Sequence, residues 1–153
     1  MSEIWNTLRQ EAETVASKER ILSKILTEYV LERNSFADAL SWRLSERLAK
    51  GSVPASDLKE LLLSCFHDSP KILSDVGADL LAVKDRDPAC HDFISPFLYF
   101  KGFQALSAYR ASNYLWNNDR KDIALYLQSL ISIVYSVDIH PAATIGCGIL
   151  LDH

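Results

Sequence analysis

The sequence predicts a mainly α protein. A multi-helix bundle over residues 1–136 runs into the start of a left-handed parallel β-helix over residues 137–153, where it is truncated. Three observations predict this. Apolar residues recur at helical spacing along most of the first 136 positions. Near Ser136 a period close to four gives way to a period of six: Ile139, Ile145 and Leu151 fall six residues apart, and Gly146 follows the second. One aliphatic at every sixth position marks a hexapeptide β-helix, in which each six-residue face points one aliphatic inward. Third, Pro141 and the glycines at 146 and 148 argue against helix there. Spacing alone also admits a short buried strand, because a chain that is 48% hydrophobic can place three aliphatics at a fixed interval by accident. A coil of this kind needs about three stacked repeats to be stable. The chain is therefore expected to be a piece of something longer, or to lean its last residues on a partner.

The helices follow in order. Ser2 is expected to cap a first helix carrying Ile4, Trp5, Leu8, Ala12 and Val15 on one face. A second carries Ile21, Leu22, Ile25, Leu26, Tyr29 and Val30. Asn34-Ser35 breaks and recaps the chain. A third helix presents Phe36, Leu40, Leu44 and Leu48, with Trp42 at its margin and Gly51 where a C-terminal cap belongs. Ser56 opens a fourth through Leu58, Leu61, Leu62, Cys65 and Phe66. Ser69-Pro70 places a hydroxyl cap before proline at the first helical position and launches Ile72, Leu73, Val76, Leu80, Leu81 and Val83. Ser95-Pro96 repeats the device for one long helix from Phe97 to Trp116, whose aromatic stripe reads as core. Asn117-Asn118-Asp119 ends it. A last helix from about Lys121 to Tyr135 is apolar on more than one side, which predicts burial or packing on another subunit. Seven helices with short connections make a bundle.

Composition bounds the function. A length of 153 residues suits one domain with a real core, and 24% charged residues are typical of soluble proteins. A net charge of −4 disfavours a nucleic-acid binder. The mixed-sign runs Lys18-Glu19-Arg20 and Arg120-Lys121-Asp122 read as solvated faces. Three scattered cysteines fit free thiols in a reducing compartment, and the lack of a C-x-x-C pair argues against structural zinc. No apolar signal segment opens the chain. The longest uncharged stretch, Ile123 to Val137, falls short of the ~20 residues of a membrane span. The expected location is the cytoplasm.

Two segments carry polar residues that packing does not need. In Lys84-Asp-Arg-Asp-Pro-Ala89, Pro88 holds Asp87 away from helical geometry. Asp87 can present a carboxylate to a cationic ligand, or it can cap the next short helix in a solvated loop; the residues alone favour the loop. The second group is Asp138, His140, Asp152 and His153. A histidine with a carboxylate partner is the usual base for activating a hydroxyl or thiol. Asp152 cannot easily partner His153, because adjacent side chains on an extended chain point to opposite faces. Asp138 is better placed if the β-helix forms: a coil then holds about eighteen residues, so positions 138 and 153 lie on neighbouring coils. Spacing alone makes that contact possible but favours a solvated terminal histidine. His140 before Pro141 reads as structural, and His67 and His91 as surface residues near helix ends.

The text also resembles the amino-terminal part of bacterial serine acetyltransferase. The matching residues are Arg86-Asp-Pro-Ala89, the run Ser95 to Arg110, Leu115-Trp-Asn117, Val137-Asp-Ile-His-Pro-Ala-Ala143, Ile145-Gly146, Gly148 and Asp152-His153. The likeness is patchy over the first 80 residues and dense after Ala82. It implies that His153 acts as general base on the L-serine hydroxyl, which attacks the thioester of acetyl-CoA to give O-acetylserine for cysteine synthesis. It implies that Asp138 orients that imidazole and that Asp87 and Asp152 hold the substrate ammonium. Acetyl-CoA is a co-substrate; no permanently bound cofactor, no cofactor-binding residue in this stretch and no metal are implied. Gln104 stands where relatives often have histidine, and Thr144 and Cys147 replace common basic residues.

The resemblance further implies L-cysteine as feedback inhibitor, a docking tail for O-acetylserine sulfhydrylase, and assembly as a dimer of trimers through the helical part. Relatives continue through a β-helix that supplies the CoA groove. The 153 residues alone are therefore expected to be inactive, while the parent protein is an acyltransferase. The alternative is a non-enzymatic helical oligomerisation module. A helical regulator of nucleic-acid binding is disfavoured by the acidic balance.

Overall fold

The computed structural model describes residues 1–152. Among these the chain forms eight α-helices and no strand: α1 (Ser2–Lys18), α2 (Ser23–Leu26), α3 (Phe36–Leu48), α4 (Ala55–Asp68), α5 (Pro70–Arg86), α6 (Ile94–Tyr99), α7 (Lys101–Asn117) and α8 (Lys121–Tyr135). The mainly α bundle is as predicted. Residues 137–152 follow it as turns and irregular backbone. α3 pairs with α4 and α7 with α8; α4, α5 and α6 also pack on α7.

Local chemistry explains most boundaries. Ser35 caps α3 as expected, its Oγ accepting the Asp38 amide at 3.1 Å, while Asp38 Oδ2 accepts the Asn34 amide at 3.1 Å. The first bond satisfies a donor the helix leaves open, and the second pins the residue before the cap. Pro70 takes the first position of α5, yet the Ser69 hydroxyl makes no capping bond. α1 starts at Ser2 with Met1 as its cap, and α4 starts after Pro54 at Ala55, not at Ser56. Gly51 does not cap α3, whose last helical residue is Leu48 and whose C-cap is Ala49; the missing side chain of Gly51 makes room for the Tyr126 hydroxyl, 2.6 Å from where a Cβ would stand.

Two predicted helices are built differently. The second is a 3-10 turn (Arg20–Leu22), one α-turn and a π-turn (Thr27–Leu31). Its core face is Leu26 and Val30, while Ile21 is 90% exposed. The Arg9 guanidinium holds its end, donating to the carbonyls of Leu31 at 3.2 Å and of Val30 and Arg33 at 3.3 Å. Such terminal carbonyls have no helical partner of their own.

The long helix expected from Phe97 to Trp116 is broken at Phe100, whose extended ψ of 115° separates α6 from α7. Ser95 is not its cap. Glu11 of α1 supplies that function from 82 residues away: its Oε1 accepts the amides of Phe93 at 2.9 Å and Ile94 at 3.1 Å, and Asp92 Oδ1 accepts that of Ser95 at 3.0 Å. Arg43 Nε donates to the Leu98 carbonyl at 3.1 Å at the other end. Sequence periodicity cannot see caps that arrive from distant helices.

α7 is the centre of the molecule. Every residue from Gly102 to Ser112 is buried. Gly102, Ala105, Ala108 and Ala111 let neighbours approach closely, and Phe103, Leu106 and Leu115 fill the core. Ser107 and Ser112 satisfy their hydroxyls on carbonyls of their own helix. α8 buries Ala124, Leu127, Leu130, Ile131 and Tyr135 and leaves Ile133 71% exposed. It ends at Ser136, which is left-handed at φ 57°, and there the chain leaves the bundle.

Candidate active site

The segment after Ser136 carries two of the acidic candidates, and side chains of α5 and α7 hold it against the bundle. An irregular backbone must find partners for its carbonyls and amides outside a ladder. Asn113 Nδ2 donates to the carbonyls of Pro141 at 2.8 Å and Ala143 at 3.1 Å. The Tyr109 hydroxyl also donates to Ala143. Arg110 Nη2 donates to the Gly146 carbonyl at 2.8 Å, and Arg86 Nη1 to that of Gly148 at 2.9 Å. The Ile149 amide donates to Asp79 Oδ1 at 3.0 Å. Gly148 has φ +72°, which a side chain rarely tolerates. Further on, the Leu151 carbonyl lies against Gly102, where a side chain would collide with it.

Asp79 and Arg110 form the buried centre of this clamp. They are 1% and 5% exposed. Arg110 Nε meets Asp79 Oδ2 at 2.8 Å and Nη2 meets Oδ1 at 3.0 Å, a bidentate pair joining α5 to α7. Neither stood out in the sequence as a site residue. The available signal was an acid on the apolar stripe of α5 and a base on that of α7.

The predicted site residues fall on this frame. Asp138 is exposed, and its Oδ1 accepts Gln128 Nε2 of α8 at 2.8 Å. Asp87 ends α5 with extended backbone (φ −86°, ψ 111°), as Pro88 dictates. Its Oδ1 accepts the Ala89 amide at 2.9 Å in a local turn, so it does not cap the next helix. Arg86 ties the Asp87 loop to Gly148, so Asp87 borders the same segment that contains Asp138 and Asp152. No hydrogen bond or ion pair joins Asp87 to Asp138. Asp152 is exposed, with its backbone beside Gly102. His153 lies outside the described residues. The His140 ring sits edge-on to Trp116 at 4.8 Å and its Nδ1 accepts the Ala142 amide at 3.0 Å. Gln104 is buried, donating through Nε2 to the Phe97 carbonyl at 2.9 Å.

The surroundings separate chemistry from scaffold. Burial pushes the Tyr109 phenol and the Cys90 thiol above their ordinary values, so both stay protonated near neutral pH. A cleft of about 290 Å³ beside Arg110, lined by Lys71, Asp75, Asn113 and Thr144 among others, contains none of Asp87, Asp138 and Asp152. Among the described residues no group of three His, Cys, Asp or Glu side chains can hold a metal ion, and no helix is long and apolar enough to cross a membrane.

With this geometry in hand, known proteins place the chain. The family model described as "Serine acetyltransferase, N-terminal" matches residues 4–108. A serine acetyltransferase of Haemophilus influenzae is 42% identical over 151 residues, covering 99% of this chain and 57% of the relative. A solved serine acetyltransferase in complex with CoA superposes with a TM-score of 0.96 at 41% identity, covering 98% of this chain and 64% of the other. A serine acetyltransferase in complex with cysteine superposes at 0.92 with 41% identity, covering 95% and 61%. The chain thus spans little more than half the length of the curated relative.

Proposed function

The chain belongs to the serine acetyltransferase family, and from that premise we propose that it is the amino-terminal part of an enzyme that moves the acetyl group of acetyl-CoA to the hydroxyl of L-serine. The product is O-acetylserine, a precursor for cysteine. The observation that carries this reading is the 41% identity and TM-score of 0.96 across 98% of the chain with the CoA-bound relative.

His153 takes the proton of the serine hydroxyl as its oxygen attacks the thioester carbonyl carbon. Collapse of the tetrahedral adduct breaks the carbon–sulfur bond, and the imidazolium returns the proton to the departing CoA thiolate. Such a base contributes about a hundred- to ten-thousand-fold in rate. Asp138 orients the imidazole and stabilises its charged form. Asp87 and Asp152 hold the substrate ammonium. Support for Asp87 is local: the Ala89 amide occupies its Oδ1, leaving Oδ2 for a cation.

Residues 137–153 begin a left-handed β-helix in the whole protein. Ile139, Ile145 and Leu151, six apart, are all half-buried and face the same way in that reading. The domain boundary then falls at Ser136, where the backbone turns left-handed. The CoA groove belongs to the remaining coils, so the 153 residues alone lack activity. The helical part joins two trimers, for which exposed Ile21 and Ile133 supply apolar surface. Cysteine, bound by a solved relative, is the expected feedback inhibitor. O-acetylserine sulfhydrylase is the expected partner of the tail. Free thiols at Cys65, Cys90 and Cys147 suit the cytoplasm.

Serine-dependent release of CoA thiol from acetyl-CoA tests the reading. The whole protein is expected to release thiol and the 153 residues to release none. No serine-dependent release from the whole protein refutes the activity, and equal rates from both refute the need for the further coils. A purely structural helical module predicts the former result.

A further inference from the structure

We propose that Asp79 and Arg110 are positioning residues for acetyl transfer: the buried pair sets the path of residues 146–149 and thereby the place of the acidic end of the segment. This rests on the function proposed above.

The pair has capacity beyond its own ion pair, and the segment uses it. Asp79 Oδ1 accepts both Arg110 Nη2 at 3.0 Å and the Ile149 amide at 3.0 Å. Arg110 Nη2 donates both to Asp79 and to the Gly146 carbonyl at 2.8 Å. The result is a closed ring: Ile149 amide, Asp79 carboxylate, Arg110 guanidinium, Gly146 carbonyl. It encloses the turn Gly146-Cys147-Gly148-Ile149, whose Gly148 is in the left-handed region. Asp152 follows Ile149 by three residues, a reach of at most about 10 Å. A change in the turn is therefore carried directly to that carboxylate.

Both charges are almost fully buried, so the ring has little freedom to relax. The Arg86 bond to Gly148 adds a second tie from the loop that holds Asp87. Asp87 and Asp152 would share one substrate ammonium, and the clamp joins the two chain stretches that carry them.

Arg110→Lys separates positioning from folding. Lysine keeps the charge opposite Asp79 but offers a point charge in place of the planar fork that reaches both partners. Its melting temperature is expected within a few degrees of the parent. The Ile149 amide is expected to exchange with deuterium at least ten-fold faster. In the whole protein, kcat/KM for serine is expected to fall ten- to a hundred-fold per folded molecule, because a shift of about 1 Å is enough for a loss of that order. Asp79→Asn is the second variant; it keeps the volume while removing the charge, and is expected to move the same readouts. A purely structural pair predicts that activity falls only with the folded fraction, with KM for serine and amide exchange unchanged, and that outcome overturns the proposal. If the unmodified whole protein fails to acetylate serine, the function fails. The exchange measurement on the 153-residue chain still decides whether the pair holds the turn.

Discussion

Replacing Gly102 with alanine should separate the stability of the bundle from the placement of the site. The residue sits in the first turn of α7 and its φ is not positive, so nothing in its own backbone requires glycine. Helix propensity alone predicts that alanine stabilises α7 by about 1 kcal/mol. The opposing effect is steric. A Cβ at this position would stand 2.8 Å from the Leu151 carbonyl carbon and 3.1 Å from the Asp152 carbonyl oxygen, and nearer still to the Leu151 oxygen. Ordinary carbon–carbon contact begins near 3.5 Å, so residues 151–152 must retreat by about 1 Å. The obstacle is backbone and has no side-chain rotamer to turn aside.

The bundle can keep its core while the segment lifts, because the collision is with residues 151–152 and not with a helix. Thermal unfolding followed by helical ellipticity should therefore show a melting temperature unchanged or slightly raised. Serine-dependent acetyl transfer by the whole protein should fall by about a hundred-fold, the usual consequence of a 1 Å displacement of a reacting or binding group. Wild-type kcat/KM in Gly102→Ala would refute the claim that this close approach fixes the site. A collapse of melting temperature would refute the claim that bundle and segment respond separately.

Three further outcomes follow from the caps and the thiols. Burial raises the Glu11 carboxyl above its ordinary 4.5, with the amides of Phe93 and Ile94 pulling the other way. The fold thus holds this proton more tightly than the unfolded chain. The resulting stabilisation is full below 4.5 and is lost as pH rises through the folded value. Glu11→Gln keeps an oxygen for both amides and should retain stability at pH 7 without that pH-dependent loss, whereas Glu11→Ala should lose about 1 kcal/mol; melts at pH 4 and pH 7 decide, and equal losses in both variants would contradict the cap. Ser35→Ala should lower stability by about 1 kcal/mol, or about 3 °C in melting temperature, by stripping the acceptor of the Asp38 amide. At pH 8 one thiol per chain should react rapidly with an aromatic disulfide and vanish in Cys147→Ala, since Cys147 is exposed while burial pushes Cys65 up to about 11 and also raises Cys90; a second fast thiol would count against the packing described.

Local features were legible and distant ones were not. The Ser35 cap, the extended Asp87 before Pro88, the end of α7 near Asp119 and the break at Ser136 all follow from neighbours a few residues away. The split at Phe100 was hidden because Ser95-Pro96 imitates a helix start, while the true cap is a carboxylate on α1. Ile21 misled because its spacing matched a regular helix, whereas the chain there tightens and then widens, rotating it outward. Among the candidate site residues, the residues themselves only drew notice to Asp87, Asp138, Asp152 and His153 and favoured a solvated loop and a solvated terminus; the family likeness alone gave them roles. The clamp of Asp79, Tyr109, Arg110 and Asn113 was not singled out in that reading, because each sits inside a helix, and the one signal, an acid and a base on the apolar stripes of α5 and α7, needs the two helices brought together to be read.

The choice of a charged pair at the α5–α7 contact is itself informative. Burying two charges is costly, and a well-packed apolar pair of similar volume holds two helices together equally well or better. Joining α5 to α7 is thus a weak reason for Asp79 and Arg110. What an apolar pair cannot do is meet a carbonyl and an amide on a third strand of chain. Residues 141–149 have no ladder partner among the described residues, so their polar groups must be met by side chains. Five do so, from Asp79, Arg86, Tyr109, Arg110 and Asn113, and the two that are charged and most deeply buried meet the Gly146 carbonyl and the Ile149 amide. Replacing both members of the pair by leucine should then leave the melting temperature level or higher while Ile149 loses its protection from exchange. If the melting temperature and the protection fall together, the pair serves the bundle first and the segment only by proximity.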